Sequence, residues 1–192
     1  MNTTRKVLLS ALVVGAIGSV VALGAFSAFS STTSNANNNF TAGNVSIADN
    51  DGGTFMYQVT NAKPGATNDA CIKVTYTGSL DSNVRLYATS PISGLGSNLI
   101  NLTVTPVTFA GAPPAYPSCT GAANDGAAIY NGSASGMPTT FATGAIDFPG
   151  ATTKWSTNDA VYYKFSTSVQ DTNAAQNATT GAHSFTWEAQ NQ

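Results

Sequence analysis

The sequence predicts an all-β protein: an antiparallel two-sheet sandwich, jelly-roll-like, preceded by an N-terminal signal helix. Three observations carry this. Beyond residue 28 no segment keeps a helical period, whereas eight or so short stretches alternate apolar and polar residues at period two. Ser, Thr, Asn, Gly and Ala dominate, a composition that favours extended, turn-rich backbone over helix. Charged residues make up only 8% of the chain, too few for long solvated helices laced with ion pairs. The 192 residues suit one domain with a real core, and no internal repeat divides them.

The first element is basic, then apolar. Arg5 and Lys6 precede "VLLSALVVGAIGSVVALGAF", which carries no charge. A basic start, an apolar run and small residues beyond it spell a secretory leader over residues 1–28. The run is also long enough to span a bilayer. Two features favour cleavage over anchoring: Ala25, Ser27 and Ala28 sit where a signal peptidase cuts, and no basic cluster follows Phe29. The expected cut falls after Ser27 or after Ala28. It takes two of the seven bases, leaving five against nine acids and a net charge of −4. That balance argues against nucleic acid as a partner and against docking on anionic lipid.

Next come the strands. "NVSIA" and "GTFMYQVTNAK" read as a hairpin, with Phe55, Tyr57 and Val59 alternating against Thr54, Met56 and Gln58, ended by Lys63-Pro64-Gly65. "CIKVTYTG" sets Ile72, Val74 and Tyr76 on one face. "NVRLYATS" is short and "NLINLTVTPVTF" longer, with Pro106 expected to break it or mark an edge, because its nitrogen donates nothing. Residues 111–140 read as loops around a brief strand "AAIY". "AVYYKFSTSVQ" aligns Val161, Tyr163, Phe165, Thr167 and Val169; "HSFTWEAQ" aligns Phe185, Trp187 and Ala189.

Candidate chemistry is sparse. His183 is the single histidine, at a strand start, with no G-x-S-x-G elbow to serve. "DNDGG" (residues 49–53) resembles a calcium loop, yet the EF-hand pattern requires Glu where Thr60 stands, and a turn explains the same residues. Glu188 is the only glutamate, and the aspartates stand singly in turns, so paired-carboxylate chemistry is not expected. No catalytic residue, metal ligand or cofactor is expected. Cys71 and Cys119, both in the exported part, read as one structural disulfide. Closing that loop restrains the unfolded chain by about 4 kcal/mol in the chain-entropy model.

Several short features recur in order. The leader ends "GAFSAF"; "NNNFTAGNVSI" (residues 37–47) follows, then "NAKPG" (61–65), "TGSL" (77–80) and a closing "FTWEAQ" (185–190). In these the chain resembles the TasA and camelysin family of secreted β-sandwich proteins, whose leaders are cut by a SipW-type signal peptidase. Residues 90–160 resemble nothing recognisable, and the cysteine pair departs from the family.

The resemblance implies a secreted subunit of fibres in a biofilm matrix or cell-surface layer, with copies of itself, other matrix proteins and the signal peptidase as partners. It implies polymerisation by donor-strand complementation. The donor is residues 29–39, with alternate residues Phe29, Ser31, Thr33, Asn35 and Asn37, ahead of a body over residues 40–192. The same polar segment also suits a disordered stalk. Two other readings compete: a camelysin-like secreted metallopeptidase, and a membrane-anchored monomeric surface-binding module.

Overall fold

The computed structural model describes residues 3–24, 39, 41–90, 92–94, 97–146, 149–150, 153–177 and 179–191, without the side chains of 14–24 and 97. They fall into two compact units, Met1–Thr41 and Ala42–Gln192. In the first, Thr3–Gly24 forms helix α1, which leaves Val7, Leu8, Leu9, Leu12 and Val13 exposed. The expected cut at Ser27, Ala28 and Phe29 lies outside the described residues. So do the donor residues Phe29, Ser31, Thr33, Asn35 and Asn37.

The second unit holds nine strands among the described residues: β1 (Ile47–Asp49), β2 (Thr67–Tyr76), β3 (Asn83–Ala88), β4 (Ile100–Phe109), β5 (Ala122–Asn124), β6 (Tyr130–Ser133), β7 (Ala145–Ile146), β8 (Ala160–Val169) and β9 (Phe185–Gln190). They form two antiparallel sheets. The larger has the order β1-β2-β8-β4-β5, with β6 also on β4; the smaller is β7-β3-β9.

Period-two burial builds the core between the sheets. Ile72, Val74 and Tyr76 of β2, Leu102 and Val104 of β4, and Tyr163 and Phe165 of β8 meet Val84, Leu86 and Ala88 of β3. From β9, Phe185 stacks 4.7 Å from Phe165, and Trp187 lies 5.7 Å from Tyr163. One end is closed by a two-way bridge, Ser82 N–H to Trp155 O (3.0 Å) and Trp155 N–H to Ser82 O (2.9 Å). Both residues are fully buried.

Four strand expectations need correction. "GTFMYQV" forms no strand. Its groups go to other partners: Tyr57 O–H reaches His183 Nε2 (2.8 Å), and Thr54 O accepts from Tyr116 O–H (3.3 Å). "NVSIA" does not hairpin with it either; β1 pairs with β2 instead. Pro106 neither breaks β4 nor lies on an edge strand. Its carbonyl accepts from Asp125 N–H (2.8 Å), so its nitrogen faces the junction where β5 ends and β6 begins. There no ladder bond is lost. Finally, residues 111–140 hold two strands, and the "AAIY" strand starts only at Tyr130.

The DNDGG segment is a turn. Asp51 N–H donates to Asp49 Oδ1 (3.1 Å), Gly53 N–H to Asp51 Oδ1 (2.6 Å), and Thr54 N–H to Asp51 O (3.1 Å). Gly52 and Gly53 supply the positive φ values, 60° and 78°, that the turn requires. The cysteines are joined as expected, with Cα atoms 5.2 Å apart, clipping β2 to the connection between β4 and β5.

Candidate strand-acceptor groove

Among the described residues, one flank of the sandwich ends in strands without a further neighbour. β1 and β9 are the last strands of their sheets on that side. Between them runs a groove of about 280 Å³ lined by Ile47, Ala48, Asp49, Val74, Phe185, Thr186 and Trp187.

The bonding pattern says which backbone groups face it. Thr89 N–H bonds Ser184 O (3.1 Å), so even-numbered residues of β9 address β3. Strand alternation then turns the N–H and C=O groups of Phe185, Trp187 and Ala189 outward. On β1, Ser46 O accepts from Thr77 and Gly78, so Ile47 and Asp49 turn outward likewise. No described strand pairs with either margin. The side chains of Ile47, Phe185, Trp187 and Ala189 meanwhile pack on the core, which leaves an apolar floor beneath two backbone rows that no described strand pairs with. Trp187 adds a buried Nε1–H that finds no acceptor among the described residues.

Three of the recurrent sequence features assemble on this flank, and the fourth, "NAKPG", turns the chain into β2. "NVSI" and "TGSL" knot together. Asn44 N–H donates to Ser79 Oγ (2.9 Å), Ser79 N–H to Asn44 O (2.9 Å), Gly78 N–H to Ser46 O (3.1 Å), and Thr77 Oγ1 to Ser46 Oγ (2.9 Å). Gly78 is required there, because a Cβ would sit 2.7 Å from Ser46 N. The knot fixes the residues immediately before β1. "FTWEAQ" is β9 itself, and "NAKPG" turns on Gly65 (φ 79°), whose N–H bonds Val169 O (3.0 Å).

Polar groups frame the groove. Partial burial, with the Asp51 charge beside it, holds the Asp49 carboxyl above the usual carboxylate range. On the outer face of β9, Glu188 accepts from Gln190 Nε2 (2.6 Å) and from Tyr87 O–H (2.7 Å), which lower its pKa. At the Phe185 end, Tyr57 O–H reaches His183 Nε2 (2.8 Å), and burial pushes the Tyr57 phenol up. Sequence reasoning missed this tie because it placed Tyr57 in a strand. It also missed the groove-lining role of Ile47 and Asp49, which depends on β1 being last in its sheet.

Comparison with known proteins fits these motifs. The family model described as camelysin metallo-endopeptidase matches residues 3–98, half the chain. The protein belongs to the camelysin family. None of the curated proteins matches it significantly. The camelysin match ends just before β4, so β8 and the groove's β9 wall lie beyond it.

The family's description implies a metal, and the described side chains do not fit one. A catalytic zinc needs three protein ligands. Among the described residues no three His, Cys, Asp or Glu side chains converge. Both nitrogens of His183 are engaged, Nε2 by Tyr57 and Nδ1 by Gly181 O at 3.0 Å. Both cysteines are in the disulfide, and Asp49 and Asp51 hold their own turn.

Proposed function

We propose that this chain is a secreted structural subunit, without catalysis, that polymerises into extracellular or biofilm-matrix fibres by donor-strand complementation. After leader cleavage, residues 29–39 of one copy enter the β1/β9 groove of the next. The observation that carries this reading is the outward margin of β9 at Phe185, Trp187 and Ala189, with which no described strand pairs, above an apolar floor. An unpaired sheet edge is a template for an incoming extended chain, whose main-chain bonds supply affinity. The Ser, Thr and Asn oxygens of the donor offer acceptors for the Trp187 indole N–H. Because donor and groove are different surfaces, the contact is head-to-tail and grows open filaments.

Electron microscopy of the processed protein tests this. Filaments are expected from the intact chain, and soluble folded monomer from a chain lacking residues 29–38. Filaments that survive the deletion would overturn the reading. The camelysin description supports a second reading, a secreted metallopeptidase. Casein cleavage by the purified protein, stopped by a chelator, would favour it; absence of cleavage is the outcome expected here.

A further inference from the structure

The outer margin of β2 is another strand edge, and it is held shut. β1 covers it only at Val74–Tyr76. Earlier along the strand, alternation turns the backbone groups of Thr67, Asp69, Cys71 and Lys73 away from β8. The Cys71 donor is capped by Pro117 O and the Lys73 donor by Asn50 Oδ1, both at 2.8 Å. Pro117 is held there by the Cys71–Cys119 bridge two residues on, and by Tyr116 O–H donating to Thr54 O (3.3 Å). This strap belongs to the long connection that leaves β4 and returns to it as β5, on the far side of β8. No need of the β4–β5 pairing takes it across to β2.

What the strap covers is self-complementary. Alternate residues along β2 read Thr67, Asp69, Cys71, Lys73, Thr75, symmetric in type about Cys71 and opposite in charge. If a second copy laid the same edge antiparallel and centred on Cys71, Asp69 of each would stand opposite Lys73 of the other. Opposite charges directly across a ladder favour pairing, and such a twofold contact closes on itself.

We propose that the Cys71–Cys119 strap is a guard over a self-pairing edge, preventing β2 of one copy from adding to β2 of a second. The guard stands whether or not the β9 margin accepts a strand. Closed twofold contacts at β2 would remove copies from any open, directional assembly, so a fixed cover here has a use that a general cross-link does not.

The test compares the processed oxidised protein with its Cys71→Ser/Cys119→Ser form. At a dilution where the bridge-free chain is monomeric, hydrogen exchange at the amide of residue 71 should be at least tenfold faster than in the oxidised protein, while Ile72 and Val74, whose N–H groups face β8, keep their protection. Sedimentation of the soluble fraction should show a dimer that the oxidised protein lacks. Adding Lys73→Asp, which sets like charges across the contact, should abolish that dimer. A bridge-free chain that stays monomeric at high concentration, an amide 71 that stays protected in the dilute monomer, or a dimer indifferent to Lys73→Asp would each overturn the proposal. If the bridge-free chain does not fold, Tyr116→Phe in the oxidised protein decides, because it removes the strap's tie to Thr54 O. It should speed exchange at Cys71, and unchanged exchange there counts against the guard.

Discussion

Tyr57 and His183, far apart in sequence, are joined by a hydrogen bond of 2.8 Å between the phenol and Nε2. The other ring nitrogen faces Gly181 O, which only accepts, so Nδ1 carries the proton and Nε2 receives the Tyr57 hydroxyl. With Tyr57 also 6.4 Å from the Phe185 ring, this bond ties the β1–β2 connection to the start of β9. The connection therefore bridges the two lips of the groove at one end.

Replacing Tyr57 with Phe keeps the ring contact and removes the donor. The net loss of one such bond, with a half-buried Nε2 left unpaired, is about 1 kcal/mol. For a domain of this size that lowers Tm by about 2–4 °C. Thermal melts followed by circular dichroism check it; an unchanged Tm would mean that the bond holds nothing in place.

Alkali should weaken the fold through two tyrosines. Burial pushes Tyr57 up, and burial with the nearby Asp51 and Asp49 carboxylates pushes Tyr116 to about 12, against an ordinary value of 10.0. Because the folded values are raised, the native state holds these protons longer than the unfolded chain does. Their contribution is fully present below pH 10 and is lost as pH rises through the folded values. Urea midpoints should therefore be flat up to about pH 10 and fall beyond it. Tyr116→Phe should shallow that fall, and ultraviolet titration should show Tyr57 and Tyr116 among the phenols that ionise late.

Strands with one buried face were legible because burial writes itself into the sequence at period two. Ile72, Val74 and Tyr76, or Phe185, Trp187 and Ala189, needed no partner to be recognised. "GTFMYQV" carries the same alternation and is not a strand, and no local pattern reveals that β1, its expected partner, pairs with β2 instead. Phe55, 80% exposed, shows how little of that alternation is used for burial. β5 and β6 have the opposite problem: "AAN" and "YNGS" alternate nothing and become strands only because β4 offers an edge. The disulfide was legible from a count of two. The groove was not, since it depends on which strands end each sheet.

The contact between the sheets rests on Phe165, fully buried on β8, with Phe185 at 4.7 Å and Trp187 at 5.8 Å. Phe165→Ala should cost about 3–5 kcal/mol, as for other large aromatic truncations. That is a large share of the ~5–15 kcal/mol by which domains are stable. Urea unfolding should show it, and a loss below about 1 kcal/mol would mean that the sheets pack less tightly than these distances state.

Ala189→Pro separates fold from assembly. The Ala189 N–H points away from β3, so proline there removes a donor that the β3–β9 ladder does not use. Replacing Glu188 instead would strike a residue whose backbone addresses β3, and Glu188→Pro should unfold the small sheet's edge. The expected pair of results is therefore asymmetric. The Ala189→Pro chain should melt within a few degrees of the parent yet fail to add a strand at β9, seen as monomer where the parent forms filaments. The Glu188→Pro chain should lose stability outright. If Ala189→Pro assembles as the parent does, the β9 margin is not where strands join. The β1 margin, carried by Ile47 and Asp49, would then be the one to block.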